Sequence, residues 1–566
     1  MEVTKNHDVA ELLEKLSVLS EAAGEDRFKA IAYRRASTSV KNLSEDIEQI
    51  WKRGELEQIQ YVGEGIAKKI DEYLRTGRLE FMEKLEKKVP AGAVELMQVS
   101  GIGPRTAYRL SKDYGVRSVQ QLKDGLVSGE LTPAVGAVIA KRLLESVEKM
   151  KPGQTRMLLV EAVYLAKDLE GYFSSKGVKV QPAGSLRRGK ETIGDLDLLS
   201  SDAKASKLLA DYPGVDRVIE SGSTKTSVFL KNGVQVDTRV IKKEEYGAAL
   251  LYFTGSKEHN ILLRSLSIDK GWKLNEYGLL ETKTGRRLAG KTEKEVYLKL
   301  GLEYIPPELR EARGEVEAAR EGKLPHLVEV GDLKGDLQMH STWSDGADEI
   351  EKMAAAAQQR GYEYMAFTDH SVSVGIANGL SEERFRRQWK AIDELNEKLK
   401  PFRILKSVEA EVRSDGTLDY DRKFFENFDM VGASIHQAYR QSPEKLTERA
   451  IMALSHPSVD VLFHPTNRLI GKREGNPLDL PKVIAAAKDN GKMLEIDGSP
   501  MRMDLDEIWA RRAMEEGVSL IIDSDAHSTG ELENVEYGVT VARRAWLEKK
   551  DVANTLPLKG LLMKLT

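Results

Sequence analysis

Three aspartates and a group of histidines are the residues of this chain best suited to chemistry, and they lie in different halves of it. Asp195 and Asp197 alternate with apolar residues in GDLDLLS, and Asp237 stands in VQVDTRV. The β-compatible residues predict strands, and side chains two apart on a strand share a face, so Asp195 and Asp197 point the same way. In the second run Val234 and Val236 take one face, and Gln235, Asp237 and Arg239 the other. Such oxygen donors suit Mg²⁺, which is usually held by one or two carboxylates together with substrate phosphates. Three aspartates on adjacent strands could hold two ions about 4 Å apart, serving the attacking and leaving oxygens of phosphoryl transfer. A solvated edge strand would explain DLD alone. The upstream turn Gly184-Ser185, with Arg187 and Arg188 directly behind it in GSLRRGKETIGDLD, adds anion-binding groups and favours the site.

The histidines point to different ions. Six of the nine fall between 340 and 527, and five end or closely follow short apolar runs. The runs are YMAFTDH (His370), DMVGASIH (His436), VDVLFHP (His464) and VSLIIDSDAH (Asp525, His527); FRILKSVEAE supplies Glu409, and GDLQMHSTWSDG holds His340 and Asp345. Imidazole mixed with carboxylate suits Zn²⁺, Mn²⁺ or Fe²⁺ better than Mg²⁺. A lone histidine is more often structural, as His456 in LSHPSVD reads, but five at equivalent places in successive units favour one shared metal site.

The elements that must position these residues follow from periodicity. Between the histidine runs lie helical stretches such as DEIEKMAAAAQQRG and PKVIAAAKDNGK. Strand, loop and helix repeated about seven times predict an α/β barrel, whose active site forms at the C-terminal ends of the strands, where every candidate ligand stands. Residues 1 to 80 read as helices with Arg27, Lys29, Arg34 and Arg35 close together, a solvated basic face or a DNA contact. In VSGIGPRTAYRL, Gly101 and Gly103 permit a tight turn and Pro104 suits the first position of the next helix, whose free N–H groups can bind a phosphate. Residues 312 to 332 read as a charged linker.

Composition sets the bounds. A chain of 566 residues is too long for one core. It has no apolar run near the ~18 residues of a membrane span and its polar start is no secretory signal, so a cytoplasmic protein is expected. With no cysteine there is no disulfide, thiolate zinc site or cysteine nucleophile. The net charge of −4 hides an asymmetry: residues 151 to 300 carry 26 Lys+Arg against 19 Asp+Glu, and 333 to 566 carry 32 against 39. The basic part attracts phosphates whatever the total, and the acidic part suits a collector of cations. The 31% charged content fits a thermophilic source.

Gly184-Ser185, Arg188, Asp195, Asp197, Asp237 and YFTGSKEHN (Tyr252 to Asn260) resemble the family X DNA polymerases over residues 1 to about 316, and the remainder resembles a polymerase-and-histidinol-phosphatase (PHP) domain. The resemblance implies a multidomain α+β and α/β fold. A helical lyase-like DNA-binding domain with a first helix-hairpin-helix spans 1–80, and a helical domain with a second spans 81–150. A catalytic palm at 151–243, a nascent-base-pair domain at 244–316 and a linker at 317–332 lead to a PHP-type distorted (β/α)7 barrel at 333–566. It also implies that a primer 3′-hydroxyl attacks the α-phosphate of a dNTP with Mg²⁺ on Asp195, Asp197 and Asp237. Ser185 and Arg188 would hold the β- and γ-phosphates, with Gly194 and Gly255 in the same pocket. Tyr252 and Phe253 would pack on the sugar, Asn260 would touch the base edge, and Arg264 would face the template.

Lys69 aligns with the family's Schiff-base lysine, and Gly63, Gly65, Val99, Gly101, Ile102 and Gly103 with its phosphate-binding hairpins. Gln60 and Tyr61 replace the usual Pro-Gly of the first hairpin. In the barrel, His340, Asp345, His370, Glu409, His436, His464, Asp525 and His527 would hold Mn²⁺ or Zn²⁺, while Gln338 replaces the first histidine of the family's His-x-His and predicts one weakened position. The implied protein is a monomeric gap-filling repair polymerase, acting in base excision or end processing, that binds gapped or nicked DNA and dNTPs and no membrane. Its PHP domain is a 3′–5′ exonuclease or 3′-end phosphoesterase, with 5′-deoxyribose-phosphate lyase activity as an addition. The alternatives are a catalytically decayed DNA-end-binding scaffold, and a PHP domain acting as a pyrophosphatase or small-molecule phosphatase.

Overall fold

The computed structural model describes residues 5–23, 27–41, 43, 46–90, 92–97, 99, 102–149 and 156–565. Two small helical cores open the chain. The first gathers Val9, Leu13, Leu16, Tyr33, Val40, Ile47 and Ile70 from helices whose apolar residues recur at helical spacing. The second gathers Leu96, Val99, Ile102, Ala107, Leu110, Leu122 and Leu143. In each, a hairpin helix starts on a glycine: Gly63 caps Glu64–Thr76, and Gly103 caps Pro104–Asp113 with the proline in its first turn. Neither glycine cap supplies a side-chain acceptor to the first turn of its helix. Gly101 lies outside the described residues.

The unit expected to be the palm is a sheet of β1 (Gln181–Pro182), β2 (Asp195–Ser200), β3 (Val215–Ser221), β4 (Lys225–Leu230) and β5 (Gln235–Val240), in the spatial order β1-β2-β5-β4-β3. Strands β2 and β5 run parallel, with Asp195 opposite Gln235 and Asp197 opposite Asp237. Leu196, Leu198 and Val236, the alternate residues, enter a core with Leu169 and Phe173. That burial fixes the register, because a one-residue slip would put the aspartates into the core.

Next come the helices Tyr246–Thr254, Lys257–Asp269 and Glu293–Leu300 and a three-stranded antiparallel sheet, Trp272–Asn275, Gly278–Glu281 and Arg287–Ala289. This unit is tied to the palm by a buried charge group: Glu293 accepts two bonds from Arg187, at 2.8 and 2.7 Å, and one from Arg310 at 2.6 Å. The segment expected to be a charged linker is packed instead. It forms the helix Glu315–Glu321, whose Glu315 lies 2.6 Å from Nδ1 of buried His259 while Val316 and Ala319 enter the core. Its charge content misled because the key glutamate pairs internally with a histidine 56 residues away.

The last unit has seven parallel strands in sequential order: β6 (Gly335–Asp336), β7 (Tyr364–Phe367), β8 (Arg403–Glu411), β9 (Met430–Ser434), β10 (Val461–Leu462), β11 (Met493–Asp497) and β12 (Leu520–Asp523). A parallel bridge between Met339 and Ala526 brings the first and last strands together, so the sheet is nearly closed into a barrel. The chemical residues collect where these strands end, as in other α/β barrels.

Candidate functional sites

In the palm, Gly184 has φ of 63°, and a Cβ there would come within 2.7 Å of Oδ2 of Asp197. Only glycine lets the turn come this close to the acidic strand. Burial raises the Asp197 carboxyl to about 7, and the facing Asp195 and Asp237 add to the rise. The Gln235 amide donates to Oδ1 of Asp237 at 3.0 Å. A divalent cation would relieve this mutual repulsion, and the all-oxygen donor set fits Mg²⁺.

The arginine pair expected to face phosphate is split. Arg187 is committed to Glu293, whereas Arg188 donates from Nε to Glu311 at 3.0 Å and from Nη1 to the Thr254 carbonyl. Ser185 stands on the same turn, and Gly194 directly precedes β2. Tyr252 and Phe253 meet edge to face at 5.2 Å, and Arg239 stacks over Phe253 at 4.4 Å, so Phe253 is covered on its palm side. The Asn260 amide donates to the Tyr252 carbonyl at 2.8 Å, and Nε of Arg264 to the Asn260 carbonyl at 3.3 Å. These three residues line one cleft with Leu274 and Asn275. Gly255 follows Thr254 at the base of the same helix.

In the first helical domain, Lys69 is half-buried, with Nζ 3.0 Å from the Gly65 carbonyl and 4.9 Å above the Phe81 ring. Burial and the nearby Lys29 lower its pKa, which favours the neutral amine. Lys68 instead points outward and pairs with Glu64 at 2.6 Å. Tyr61, where the hairpin departs from the family pattern, takes φ of 61°, and Arg35 lies 5.3 Å from its ring.

The barrel brings all eight expected ligands together. Glu409 is central: Oε2 lies 3.0 Å from His370 and 3.6 Å from His340, and Oε1 lies 3.2 Å from His436 and 2.8 Å from His464. Asp345 lies 3.6 to 3.8 Å from His340, His370 and His527, and Asp525 3.3 Å from His340. Among the described residues, two sets have ligand atoms all within 4.8 Å of one another: His340, Asp345, His370 and His527, and His370, Glu409 and His436. Both ring nitrogens of His340, Nδ1 of His370 and Oε2 of Glu409 are buried without a hydrogen-bond partner. Such orphaned donors converging on shared carboxylates fit metal ions of the Mn²⁺ or Zn²⁺ type.

Electrostatics divide the histidines. Burial holds His370 down at about 4 despite Glu409, which keeps the ring neutral with one nitrogen lone pair available. Burial also opposes charge on His436, but Glu409 and Glu411 outweigh it and lift that ring to about 10. Glu411 accepts from the His436 backbone N–H at 3.1 Å and lies 3.0 Å from Nδ1, which aims Nε2 at the cluster. With its amide nitrogen turned toward a carboxylate, Gln338 donates to Glu495. In that orientation it would brace the acidic floor of the site. Arg502, 3.5 Å from Asp497 and 3.7 Å from Asp525, neutralises the same floor. Sequence reasoning missed Glu411 and Arg502. Glu411 was within reach, since it stands two residues from Glu409 on one strand; Arg502 had no local signal.

The fold and site define a nucleotidyltransferase core joined to a metal-dependent phosphoesterase barrel. Helix-hairpin-helix domain matches cover residues 4–79, a SAM-like helix-hairpin-helix tandem 93–149, DNA polymerase beta thumb 249–311 and PHP domain 336–495. The chain is 37% identical over 563 residues to the DNA polymerase/3′-5′ exonuclease PolX of Bacillus subtilis (strain 168), covering 98% of both. It is 26% identical to DNA polymerase lambda of Rattus norvegicus, over 53% of this chain and 56% of that one. It is 29% identical to a probable phosphatase of Thermoanaerobacter sp. (strain X514), over 39% of this chain and 89% of that one. The chain belongs to the family X DNA polymerases that carry a C-terminal PHP domain.

Proposed function

We propose that this chain fills short gaps in DNA during repair and trims or cleans 3′ ends with its barrel. The observation that carries the polymerase assignment is the in-register pair Asp197 and Asp237 beside the Gly184 turn. Asp195, Asp197 and Asp237 would hold Mg²⁺, which when bound supplies positive charge to the primer oxygen and the triphosphate. Ser185 and Arg188 would receive the β- and γ-phosphates, Arg188 after leaving Glu311. Tyr252, Phe253 and Asn260 would frame the sugar and base, and Arg264 the template strand. The glycine-capped helices at Gly63 and Gly103 would take DNA backbone phosphates without reading sequence, and Lys69 would act on a 5′-deoxyribose phosphate.

In the barrel, His340, Asp345, His370, Glu409, His436, His464, Asp525 and His527 would hold Mn²⁺ or Zn²⁺, supplying Lewis-acid charge to a phosphoester. His370 is common to both ligand sets and Glu409 lies against four of the histidines, while Glu411 would orient His436 and Arg502 would keep the acidic floor compatible with an anionic substrate. The exonuclease named for the Bacillus subtilis relative is the activity proposed here. No helix among the described residues is long and apolar enough to cross a membrane. The test is extension of a primer across a one-nucleotide gap with Mg²⁺ and dNTPs, beside hydrolysis of 3′-labelled single-stranded DNA with Mn²⁺. Extension with release of labelled mononucleotides is expected. No extension would leave a DNA-end scaffold, and release of inorganic phosphate alone would make the barrel a phosphatase.

A further inference from the structure

The turn that bears the triphosphate residues is not free in solvent; the barrel packs against it. The helix Val535–Arg544 approaches so closely that a Cβ on Gly189, whose φ is 64°, would lie 2.3 Å from Cγ2 of Thr540. At the end of this helix Arg544, 2% exposed at its side chain, reaches into the polymerase half. Its Nη1 donates to the backbone carbonyl of Arg188 at 2.6 Å and to Glu311 at 3.0 Å, and its Nη2 donates to Glu507 at 2.8 Å. Glu311 is the carboxylate that holds the Arg188 guanidinium, also at 3.0 Å. Lys190 lies 3.8 Å from Glu311 and 3.7 Å from Glu507, and Arg313 lies 3.4 Å from Glu507. Four cations thus share two carboxylates in a partly buried space, leaving positive charge beside the triphosphate residues.

We propose that Arg544, supplied by the barrel, is a positioning residue for nucleotide binding by the polymerase: it fixes the Arg188 backbone and keeps Glu311 neutralised when the Arg188 guanidinium turns from Glu311 to an incoming triphosphate. The proposal rests on the reading of Arg188 as a triphosphate ligand. The physical reason is a competition. A buried carboxylate left alone is costly, so it holds whatever cation it has. With Arg544 present, Glu311 keeps a partner at 3.0 Å after Arg188 departs. Without Arg544, only Lys190 at 3.8 Å remains, and Glu311 retains Arg188 against the nucleotide.

The test measures kcat and dNTP KM for single-nucleotide gap filling with full-length protein. Arg544→Gln is expected to raise the dNTP KM about tenfold or more, the size of one lost charged hydrogen bond, with a much smaller change in kcat. Adding Glu311→Gln should bring the KM back toward the parent, because no carboxylate then competes for Arg188, and Arg544→Lys should restore it in part. Equal impairment of Arg544→Gln and the double variant would mean general loosening and overturn the proposal, as would an unchanged KM in Arg544→Gln. If Arg544→Gln fails to fold, Glu311→Gln alone decides: a lower dNTP KM supports the competition, and an unchanged or higher one refutes it. Arg188→Ala separates the two levels. An unchanged dNTP KM there removes the underlying reading, whereas impairment there with a normal Arg544→Gln removes only the role of Arg544.

Discussion

Replacing Glu411 by Gln keeps the shape of the side chain and removes its charge, which isolates what this carboxylate does for the barrel site. Glu411 is 1% exposed at its side chain and binds both the backbone N–H and Nδ1 of His436, whose pKa it helps Glu409 raise to about 10. In a metal complex the same contact would hold Nδ1–H and direct Nε2 at the ion, making the ring a stronger ligand. Loss of such outer partners typically costs about 10- to 100-fold in metal affinity, or about 1.4 to 2.7 kcal/mol. The Gln amide can still accept the backbone N–H, so the fold should survive. Calorimetric titration of metal-free protein with Mn²⁺ should show one class of site weakened by that factor. DNA hydrolysis should require correspondingly more Mn²⁺ while gap filling stays unchanged. Parent-like Mn²⁺ affinity in a folded Glu411→Gln protein would exclude this role and reduce Glu411 to a packing residue.

Arg188→Ala should lower kcat/KM for dNTP by roughly 2 to 4 kcal/mol, the range for a truncated charged partner in a partly desolvated site, and steady-state kinetics on a gapped duplex would show it. Because Asp197 sits near 7 through burial and its acidic neighbours, it is largely protonated below that pH and must lose the proton to bind a cation. Apparent Mg²⁺ affinity should therefore fall about tenfold per unit below pH 7 and level off above it, with proton release seen by calorimetry in two buffers. A flat profile would mean the triad is already ionised. Lys69 should form a borohydride-trapped adduct with DNA bearing a 5′-deoxyribose phosphate, and Lys69→Ala should abolish it; loss only in Lys68→Ala would reassign the nucleophile.

Local pattern carried far into this protein, and its limits have physical causes. Period-two alternation put Asp195 and Asp197 on one face of their strand, and the register of β2 and β5, which no local pattern gives, sets Asp197 beside Asp237. The ligand histidines were legible because they end or closely follow buried strands, and strand order gathers His340, His370, His436 and His464 around Glu409, with His527 beside Asp345. Pairings across long separations were not legible. Arg187 meets Glu293 106 residues on, and Arg188 meets Glu311 123 residues on, so two adjacent arginines take different partners. Arg544 reaches Glu311 over 233 residues, and no periodicity in either half announces it. The charged segment around Glu315 was misjudged for the same reason, since its value lies in a buried contact with His259.

Whether two chemistries reside in two separate sites of one chain is decided by a pair of variants assayed side by side. Asp197→Ala and His436→Ala full-length proteins would each be measured for single-nucleotide gap filling with Mg²⁺ and for hydrolysis of 3′-labelled DNA with Mn²⁺. Asp197→Ala should lose gap filling and keep hydrolysis; His436→Ala should lose hydrolysis and keep gap filling. Loss of both activities together in either variant, with its thermal unfolding unchanged, would contradict the two-site account.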